Sequence, residues 1–290
     1  MGTHWSEPVA SLLRAGADFD LTRLDRRATP GWEHGKKKAE TFMAKRGKEL
    51  SDLQERLYAD GRSGGSRSVL LVLQGLDTAG KGGIVRHVLG MVDPQGVALA
   101  SFGVPTAEEA AHHHLWRIRR QLPPAGRIGV FDRSHYEQVL VVRVNELEPE
   151  QANEARYSEL VAFDQELVAA GTTVVKVALM VSSDEQFERL AERLDRPDKY
   201  WKYSPGDIDT RLDWDDFQEA YAEMFARTSV PQAPWYVVPA DRKWYARLAV
   251  TELLIEALRS LELGWPPADF DVETEKRRLA ETRSPAGTRT

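Results

Sequence analysis

Short apolar stretches recur along this chain and alternate with longer segments that have helical spacing of their apolar residues. Their near-continuous Val, Ile and Leu content is typical of parallel strands that are buried on both faces. The predicted strands cover residues 69–73, 97–102, 127–132, 173–181 and 233–238. Predicted helices cover 36–58, 84–91, 106–121, 148–170 and 208–226, and others begin near 183 and 241. This alternation, with right-handed crossovers, predicts an α/β fold: a three-layer α/β/α sandwich around a parallel sheet of about five strands.

The first predicted strand leads directly into a glycine-rich loop. Gly75, Gly80 and Lys81 form the pattern G-x-x-x-x-G-K between this strand and a predicted helix, which is the context of a phosphate-binding P-loop. Glycines let backbone N–H groups turn towards phosphate oxygens, and the lysine adds a mobile positive charge. The predicted phosphate-binding residues of the loop are Gly75, Gly80, Lys81 and Gly82. A chance glycine turn between a strand and a helix is the alternative.

Two aspartates are candidate ligands of Mg²⁺. P-loops usually place Ser or Thr after the lysine to hold the metal, but Gly82 stands there in this chain, and Asp77 is the nearest hard-oxygen ligand. Asp132 ends an apolar strand about 50 residues after the loop, which is the position of a Walker B aspartate. A strand-end aspartate that caps the next segment is the alternative. Arg133 and Glu137 follow directly, so a guanidinium and a carboxylate are expected at the same edge of the sheet.

A basic and aromatic segment separates the last two predicted strands. It contains Arg193, Arg196 and Lys199 together with Tyr200 and Trp201. Its composition resembles the lid of a nucleotide kinase, in which basic residues close over phosphates. A solvated helical hairpin is the alternative.

Three consecutive histidines, His112 to His114, fall within the predicted helix 106–121. Consecutive helical residues point in different directions, so we expect these three not to share one metal ion. A mixed role in packing and at the surface is the interpretation that we favour.

The composition narrows the class of protein. The chain has 290 residues, 42% of them hydrophobic, which is enough for one large domain with appendages. A net charge of −6 does not favour a nucleic-acid partner. The chain has no cysteine, and it shows neither an apolar run of membrane-spanning length nor a signal peptide. These features fit a cytoplasmic protein without a membrane partner.

We divide the chain into three parts. Residues 1–66 are predicted to form an N-terminal helical extension. Residues 67–264 are predicted to form a P-loop kinase-like domain with a helical lid at about 184–226. Residues 265–290 are charged and contain Pro, Gly and Thr, so a flexible C-terminal tail is expected.

Five motifs, in this order, resemble those of the polyphosphate kinase 2 family. They are LQGLDTAGKGG, DPQG, FDRSHYE, RLDRPDKYWKYSPGD and TSVPQAPWYVVPADRKWYARL, and together they span roughly residues 32–261. The resemblance implies an enzyme with a fold similar to that of thymidylate kinases. It also implies Mg²⁺-dependent transfer of phosphoryl groups between inorganic polyphosphate and nucleotides, and a homo-oligomer, either a tetramer or a dimer.

The resemblance also implies roles for individual residues. Asp77 and Asp132 would hold Mg²⁺, Lys81 and Arg133 would bind the phosphates, and Arg193 would close on them from the lid. These five are the predicted catalytic residues. The basic lid residues Arg196 and Lys199 are predicted to bind phosphate as well.

The motif that contains Glu137 bears on the choice of nucleotide. Family members specialised for nucleoside diphosphates typically read DRSWYN, whereas this chain reads DRSHYE. Glu137 in place of Asn is closer to members that act on both nucleoside mono- and diphosphates. Glu137 is therefore the predicted nucleotide-binding residue, with ADP, GDP and AMP as the expected nucleotides.

Two other functions are compatible with a P-loop. One is an ATP-dependent nucleotide kinase of the thymidylate-kinase type. The other is a non-catalytic P-loop protein that binds GTP as a regulator. The chain contains no N-K-x-D stretch to recognise guanine, and the lid rich in Trp and Arg has no evident use in a switch.

Overall fold

The computed structural model describes residues 4–16 and 18–283, which form a five-stranded sheet with helices on both faces. The strand order is β2-β3-β1-β4-β5, and each neighbouring pair is parallel. The strands are β1 (Ser68–Gln74), β2 (Val97–Ser101), β3 (Ile128–Asp132), β4 (Thr172–Met180) and β5 (Trp235–Pro239). The predicted parallel sheet is confirmed.

The helices differ widely in length, from single turns to seven turns. They are α1 (Val9–Leu13), α2 (Lys36–Arg62), α3 (Lys81–His87), α4 (Ala107–Ala110), α5 (Trp116–Arg119), α6 (Val141–Val144), α7 (Glu150–Ala169), α8 (Ser183–Asp195), α9 (Gly206–Leu212), α10 (Trp214–Thr228), α11 (Lys243–Ser260) and α12 (Val272–Glu281). A 3₁₀ turn, His135–Val139, follows β3, and another, Pro197–Lys202, follows α8.

Two hydrophobic cores lie on opposite faces of the sheet, and the central strand β1 contributes to both. Val69, Leu71 and Leu73 pack in one core with residues of α2, α3 and α11. Leu70 and Val72 pack in the other core with residues of α7 and α10. All five side chains are fully buried. The alternation of β1 side chains between two covered faces explains its continuous apolar sequence, and the three-layer prediction is confirmed.

The predicted helix 106–121 is wrong in its extent. The capping box is present, since Thr106 accepts from the N–H of Glu109 and the Glu109 carboxylate accepts from the N–H of Thr106. However, the helix ends at Ala110, and helical structure resumes only at Trp116. The capping box therefore starts a helix of only one turn. The histidines that follow make tertiary contacts instead of continuing the helix.

The irregular segment brings two of the three histidines to one carboxylate. The Nε2 atoms of His114 and His113 lie 2.7 and 3.7 Å from Glu159 Oε2, so the expectation that these side chains diverge is wrong for this pair. Arg156 also donates to the same oxygen, at 2.9 Å. Burial lowers the pKa of His114 to about 4, which leaves it neutral at pH 7. Because Arg156 already balances the carboxylate, the cluster is best explained as structural packing.

The predicted lid consists of two different parts. The end of α8, the turn Pro197–Lys202 and α9 carry exposed aromatic and apolar side chains such as Trp201 and Leu212. Helix α10, in contrast, buries Phe217, Tyr221 and Phe225 in the second core. The helix predicted over 208–226 is interrupted at Asp213, where α9 ends and α10 begins. Movement of α10 would open the second core, whereas none of the described residues 196–212 belongs to either core.

The C-terminal segment contains a helix that the sequence analysis did not predict. Asp271 caps α12 by accepting from the N–H of Thr274 at 2.7 Å. Its side chains are solvent-exposed or only partly covered, and ion pairs such as Lys276–Glu273 link its surface. The bounds 1–66, 67–264 and 265–290, and the flexibility of the tail, stay predictions; residues 284–290 lie outside the described part. Within the described residues, no helix has the length and apolarity needed to cross a membrane.

Candidate active site

The P-loop lies at the carboxyl end of β1, and two of its glycines are required by geometry. Gly75 has φ +150°, and a Cβ atom there would lie 2.7 Å from the carbonyl oxygen of Leu179. Gly80 has φ +115° where the loop enters α3. Any L side chain would be strained at both positions. The G-x-x-x-x-G spacing therefore reflects the backbone path of the loop.

Lys81 lies at the floor of the loop. Its Nζ atom donates to the carbonyl oxygen of Gly75 and lies 3.5 Å from that of Leu76. Burial lowers the pKa of Lys81, while the carboxylate of Asp77 opposes this shift. The ammonium group is thus held against the loop on the side where phosphates would lie.

The two predicted metal ligands both border the same cleft as Lys81. Asp77 Oδ1 accepts from Arg133 Nη2 at 3.1 Å. Among the hydrogen bonds of residues 4–16 and 18–283, none involves the carboxylate of Asp132. β1 and β3 are paired so that Leu73 lies beside Asp132. The pairing of these two strands therefore brings the loop and the second aspartate together.

Arg133 connects the loop to Glu137. Its Nη1 atom lies 3.8 Å from Glu137 Oε2, and its φ of +64° places the backbone in the left-handed region. Burial lowers the pKa of Arg133, but the carboxylates of Glu137 and Asp77 raise it by more, so it remains charged. Burial raises the pKa of Glu137, against the opposing effect of Arg133. Glu137 lies behind Arg133 and does not border the cleft.

Arg189 braces the P-loop from α8, a role that the sequence analysis did not assign. This guanidinium is 5% exposed and donates to the carbonyl oxygens of Thr78 at 2.9 Å and of Ala240 at 2.7 Å. Glu185 accepts from its Nε atom at 2.9 Å. A buried arginine that satisfies backbone carbonyls of two loops fixes their relative position. The only sequence signal is its place beside the apolar stripe of α8.

The cleft has a volume of about 710 Å³ and a strong excess of positive charge. Nine cationic side chains and three acidic ones border it, although the whole chain carries a net charge of −6. The cationic ones are Lys81, Arg86, Arg133, Arg189, Arg193, Lys199, Lys202, Lys243 and Arg247. Such a concentration of one sign of charge in a concave site attracts polyanions.

Most of the predicted lid cations border this cleft, but one does not. Arg193 and Lys199 do, and Arg193 also donates to Asp207 at 3.0 Å. Arg196 does not border the cleft, and it is bonded to Glu192 and Asp198 at 3.0 and 2.8 Å. These two acidic neighbours hold the Arg196 side chain outside the lining of the cleft.

Three cations of the cleft lie outside both the P-loop and the lid segment, and the sequence did not predict their place there. Arg86 comes from α3, and Lys243 and Arg247 come from α11. Within the described part of the chain, no ion pair involves any of the three. Burial and the neighbouring Arg189 lower the pKa of Lys243, against the opposing effect of Glu192. They extend the positive surface of the cleft beyond the P-loop.

The residues at this site suit a divalent cation. Two carboxylates, Asp77 and Asp132, border a solvent-accessible cleft, and hard oxygen ligands of this kind are those that Mg²⁺ prefers. The carboxylate of Asp132 is not engaged elsewhere among the described side chains. Asp77 and Asp132 would thus hold a metal ion beside the P-loop.

Comparisons with known proteins agree on one family. The family model "Polyphosphate kinase 2 (PPK2)" matches residues 33–263. The chain is 45% identical over 248 residues to the AMP/ADP-polyphosphate phosphotransferase of Meiothermus ruber, which covers 86% of this chain and 91% of that protein. It is 41% identical over 263 residues to the ADP-polyphosphate phosphotransferase of Rhodopseudomonas palustris, which covers 87% of this chain and 89% of that protein.

A solved structure is similar over nearly the whole length. The crystal structure of polyphosphate kinase 2 from Arthrobacter aurescens TC1 superposes with a TM-score of 0.94 at 48% sequence identity. The match covers 97% of this chain and 99% of that one.

Proposed function

Because the chain belongs to the polyphosphate kinase 2 family, we propose that it moves phosphoryl groups between inorganic polyphosphate and nucleoside mono- and diphosphates at the cleft described above. The observation that carries this proposal is the excess of cations along the cleft, far beyond the P-loop itself. A triphosphate needs only the two or three cations nearest to it. A long polyanion carries charge on every unit and needs cations spread along its path.

The mechanism follows from the charges at the P-loop. The transferred phosphoryl group passes through a loose transition state, so catalysis is mainly alignment and neutralisation of spread negative charge. Lys81 and Arg133 bind the phosphates on either side of the transfer, and Arg193 approaches from the lid. The acceptor phosphate itself attacks, so no side chain needs to act as a nucleophile. Mg²⁺, held by Asp77 and Asp132, would neutralise charge on the transferred group.

Substrate assays of the purified protein test this function directly. Polyphosphate is supplied with AMP, ADP, GMP and GDP in separate reactions, and ATP and GTP are supplied as alternative donors. We expect phosphorylation of mono- and diphosphates from polyphosphate. Phosphorylation of ADP or AMP from ATP or GTP, but never from polyphosphate, would overturn the proposal and favour an ATP-dependent nucleotide kinase.

The lid offers a matched pair of variants for the polyphosphate path. Lys199 borders the cleft, whereas Arg196, three residues earlier, is paired with Glu192 and Asp198 and does not border it. We expect Lys199→Gln to weaken affinity for long chains and to reduce the slope of log Kd against log salt by about 1, because one counterion-releasing contact is lost. Arg196→Gln should leave both quantities unchanged. Binding of fluorescent polyphosphate at several salt concentrations measures this, and equal effects of the two variants would contradict the proposed path.

Glu137 is proposed to favour nucleoside monophosphates. The relative from Meiothermus ruber has both AMP and ADP in its name, and Glu137 lies 3.8 Å from Arg133, the cleft residue through which it would act. We expect Glu137→Asn to lower kcat/KM for AMP about tenfold more than for ADP, the size of one lost charge-assisted hydrogen bond. Initial rates with each nucleotide provide the comparison. An equal loss for both would assign Glu137 a structural or general catalytic role.

Two further properties concern the assembly and the location of the protein. A homo-oligomer, either a tetramer or a dimer, and a cytoplasmic location both stay predictions. Light scattering on the purified protein would measure the former.

A further inference from the structure

A lysine lies in the centre of the apolar strand β4. Lys176 has no solvent exposure and is flanked by Val175 and Val177, which are also buried. Lys176 does not border the cleft, so it has no direct part in the proposed phosphoryl transfer. A buried ammonium group is strongly unfavourable unless it is paired and fully hydrogen-bonded. The ammonium group of Lys176 therefore needs an anionic partner and hydrogen-bond acceptors, and the identity of these groups indicates the role of the lysine.

The three donors of Lys176 all have acceptors. Its Nζ atom lies 2.6 Å from Asp164 Oδ2, 2.8 Å from Tyr136 Oη and 2.8 Å from the carbonyl oxygen of Thr228. It also lies 5.0 and 5.2 Å from the ring centroids of Tyr136 and Trp235. The Tyr136 hydroxyl group donates to Asp164 Oδ2 at 2.7 Å. Lys176 and Asp164 form an ion pair, and their contacts connect β4, α7 and the end of α10 to Tyr136.

That tyrosine belongs to the turn that directly follows β3. Asp164 is also contacted by the preceding residue, His135, at 3.4 Å. The turn is held a second time by Ser134, whose Oγ atom accepts from Gln74 Nε2 at 2.9 Å and from the N–H of Tyr136 at 3.1 Å. Every one of these residues is buried. Residues 134–136 are therefore fixed from three elements at once.

The residue just before this fixed turn is Arg133. Its φ of +64° is a conformation that side chains other than glycine adopt at a cost in energy. Such strain persists only where the surrounding structure determines it, and it often marks functional residues. The conformation directs the guanidinium of Arg133 towards Asp77, 3.1 Å away.

We propose that the buried Lys176–Asp164 pair is a positioning device that acts through Tyr136 to hold Arg133 in its left-handed conformation at the cleft. Neither charge touches the substrate. This inference rests on the proposed phosphate-binding role of Arg133. It makes the Tyr136 hydroxyl group the link between the charge pair and the site.

Tyr136→Phe tests this link with a minimal change, since it removes the hydroxyl group and keeps the ring. Its matched control is Tyr157→Phe, because Tyr157 is also buried and its hydroxyl group accepts from Arg143 at 2.7 Å, outside the turn. We expect Tyr136→Phe to lower kcat about tenfold while KM for ADP stays within about twofold, since a misplaced group loses transition-state contacts. The control should stay within about twofold of the unchanged protein in both. Equal kcat values for the two variants would overturn the proposal.

A double-mutant cycle distinguishes positioning from a general loss of structure. In the Arg133→Ala background, Tyr136→Phe should change the residual kcat by less than about twofold, because the group that it positions is absent. An undiminished tenfold effect in that background would show that Tyr136 acts independently of Arg133, and would overturn the inference.

The charge pair itself is tested by removing both partners. Lys176→Met alone leaves Asp164 buried and unpaired, so this single variant is expected to unfold more readily. Lys176→Met combined with Asp164→Leu removes both charges, and its thermal unfolding midpoint should return towards that of the unchanged protein. We expect kcat of this double variant to stay about tenfold low. Recovery of full activity together with stability would reduce the pair to a structural role.

These outcomes separate failure of the inference from failure of the proposed function. If Arg133→Ala keeps full activity, the proposed phosphate-binding role of Arg133 is wrong. If Arg133→Ala is impaired and Tyr136→Phe is not, only the positioning role is wrong.

Discussion

Replacement of Lys81 by alanine is expected to abolish nearly all transfer from polyphosphate to ADP. The lysine is the cation at the floor of the P-loop, and its Nζ atom is hydrogen-bonded to loop carbonyl oxygens. Loss of one group that stabilises the developing charge typically costs ~3–4 kcal/mol, so kcat should fall by at least about 100-fold. Initial rates at saturating substrate, with the thermal unfolding midpoint as a check of folding, measure this.

A lysine outside the cleft provides the control for that variant. Lys48 is exposed on α2 and does not border the cleft, so Lys48→Ala should leave kcat unchanged. A folded Lys81→Ala protein with a near-normal rate would show that the transferred phosphoryl group does not lie in the P-loop.

The second large effect is expected for Asp132→Asn. The amide keeps the shape of the side chain and removes its charge, at a carboxylate that no described side chain engages and that borders the cleft. If Asp132 holds Mg²⁺, kcat should fall by at least about 100-fold at ordinary Mg²⁺ concentrations, since a neutral amide is a poorer ligand. A Mg²⁺ titration should show the half-maximal concentration shifted upwards.

The matched control is another aspartate that follows an element end. Asp93 is exposed and caps a turn by accepting from the N–H of Gln95 at 2.9 Å, so Asp93→Asn should keep both the rate and the Mg²⁺ dependence. An Asp132→Asn variant that loses rate without any change in its Mg²⁺ dependence would assign Asp132 a role other than metal binding.

The parts of this protein that the sequence predicted have a local origin. β1 contains a continuous apolar run because both of its faces are covered by helices. The spacing of Gly75 and Gly80 could be read directly, because a tight turn demands glycine at specific positions of the backbone. Asp132 was found by its place at the end of a strand, which needs no knowledge of its neighbours.

Predictions from local sequence patterns were wrong where contacts between residues distant in the chain override the pattern. The cap at Thr106 was read correctly, yet the helix that it starts ends after one turn, since His114 bonds to Glu159, 45 residues away. Arg196 was read as a cation of the cleft because it lies in a basic segment. Its side chain instead pairs with Glu192 and Asp198 and does not border the cleft.

By itself, the sequence determined the parallel sheet, the P-loop and the aspartates beside it, since each depends on residues within one strand–loop–helix unit. Only the tertiary structure decided which distant charges meet. It brings Arg86 of α3 and Arg247 of α11 to one cleft, and it places Lys176 against Asp164 beneath the turn after β3. No spacing along the chain encodes these contacts, because they arise when elements far apart in the chain pack on the same face of the sheet.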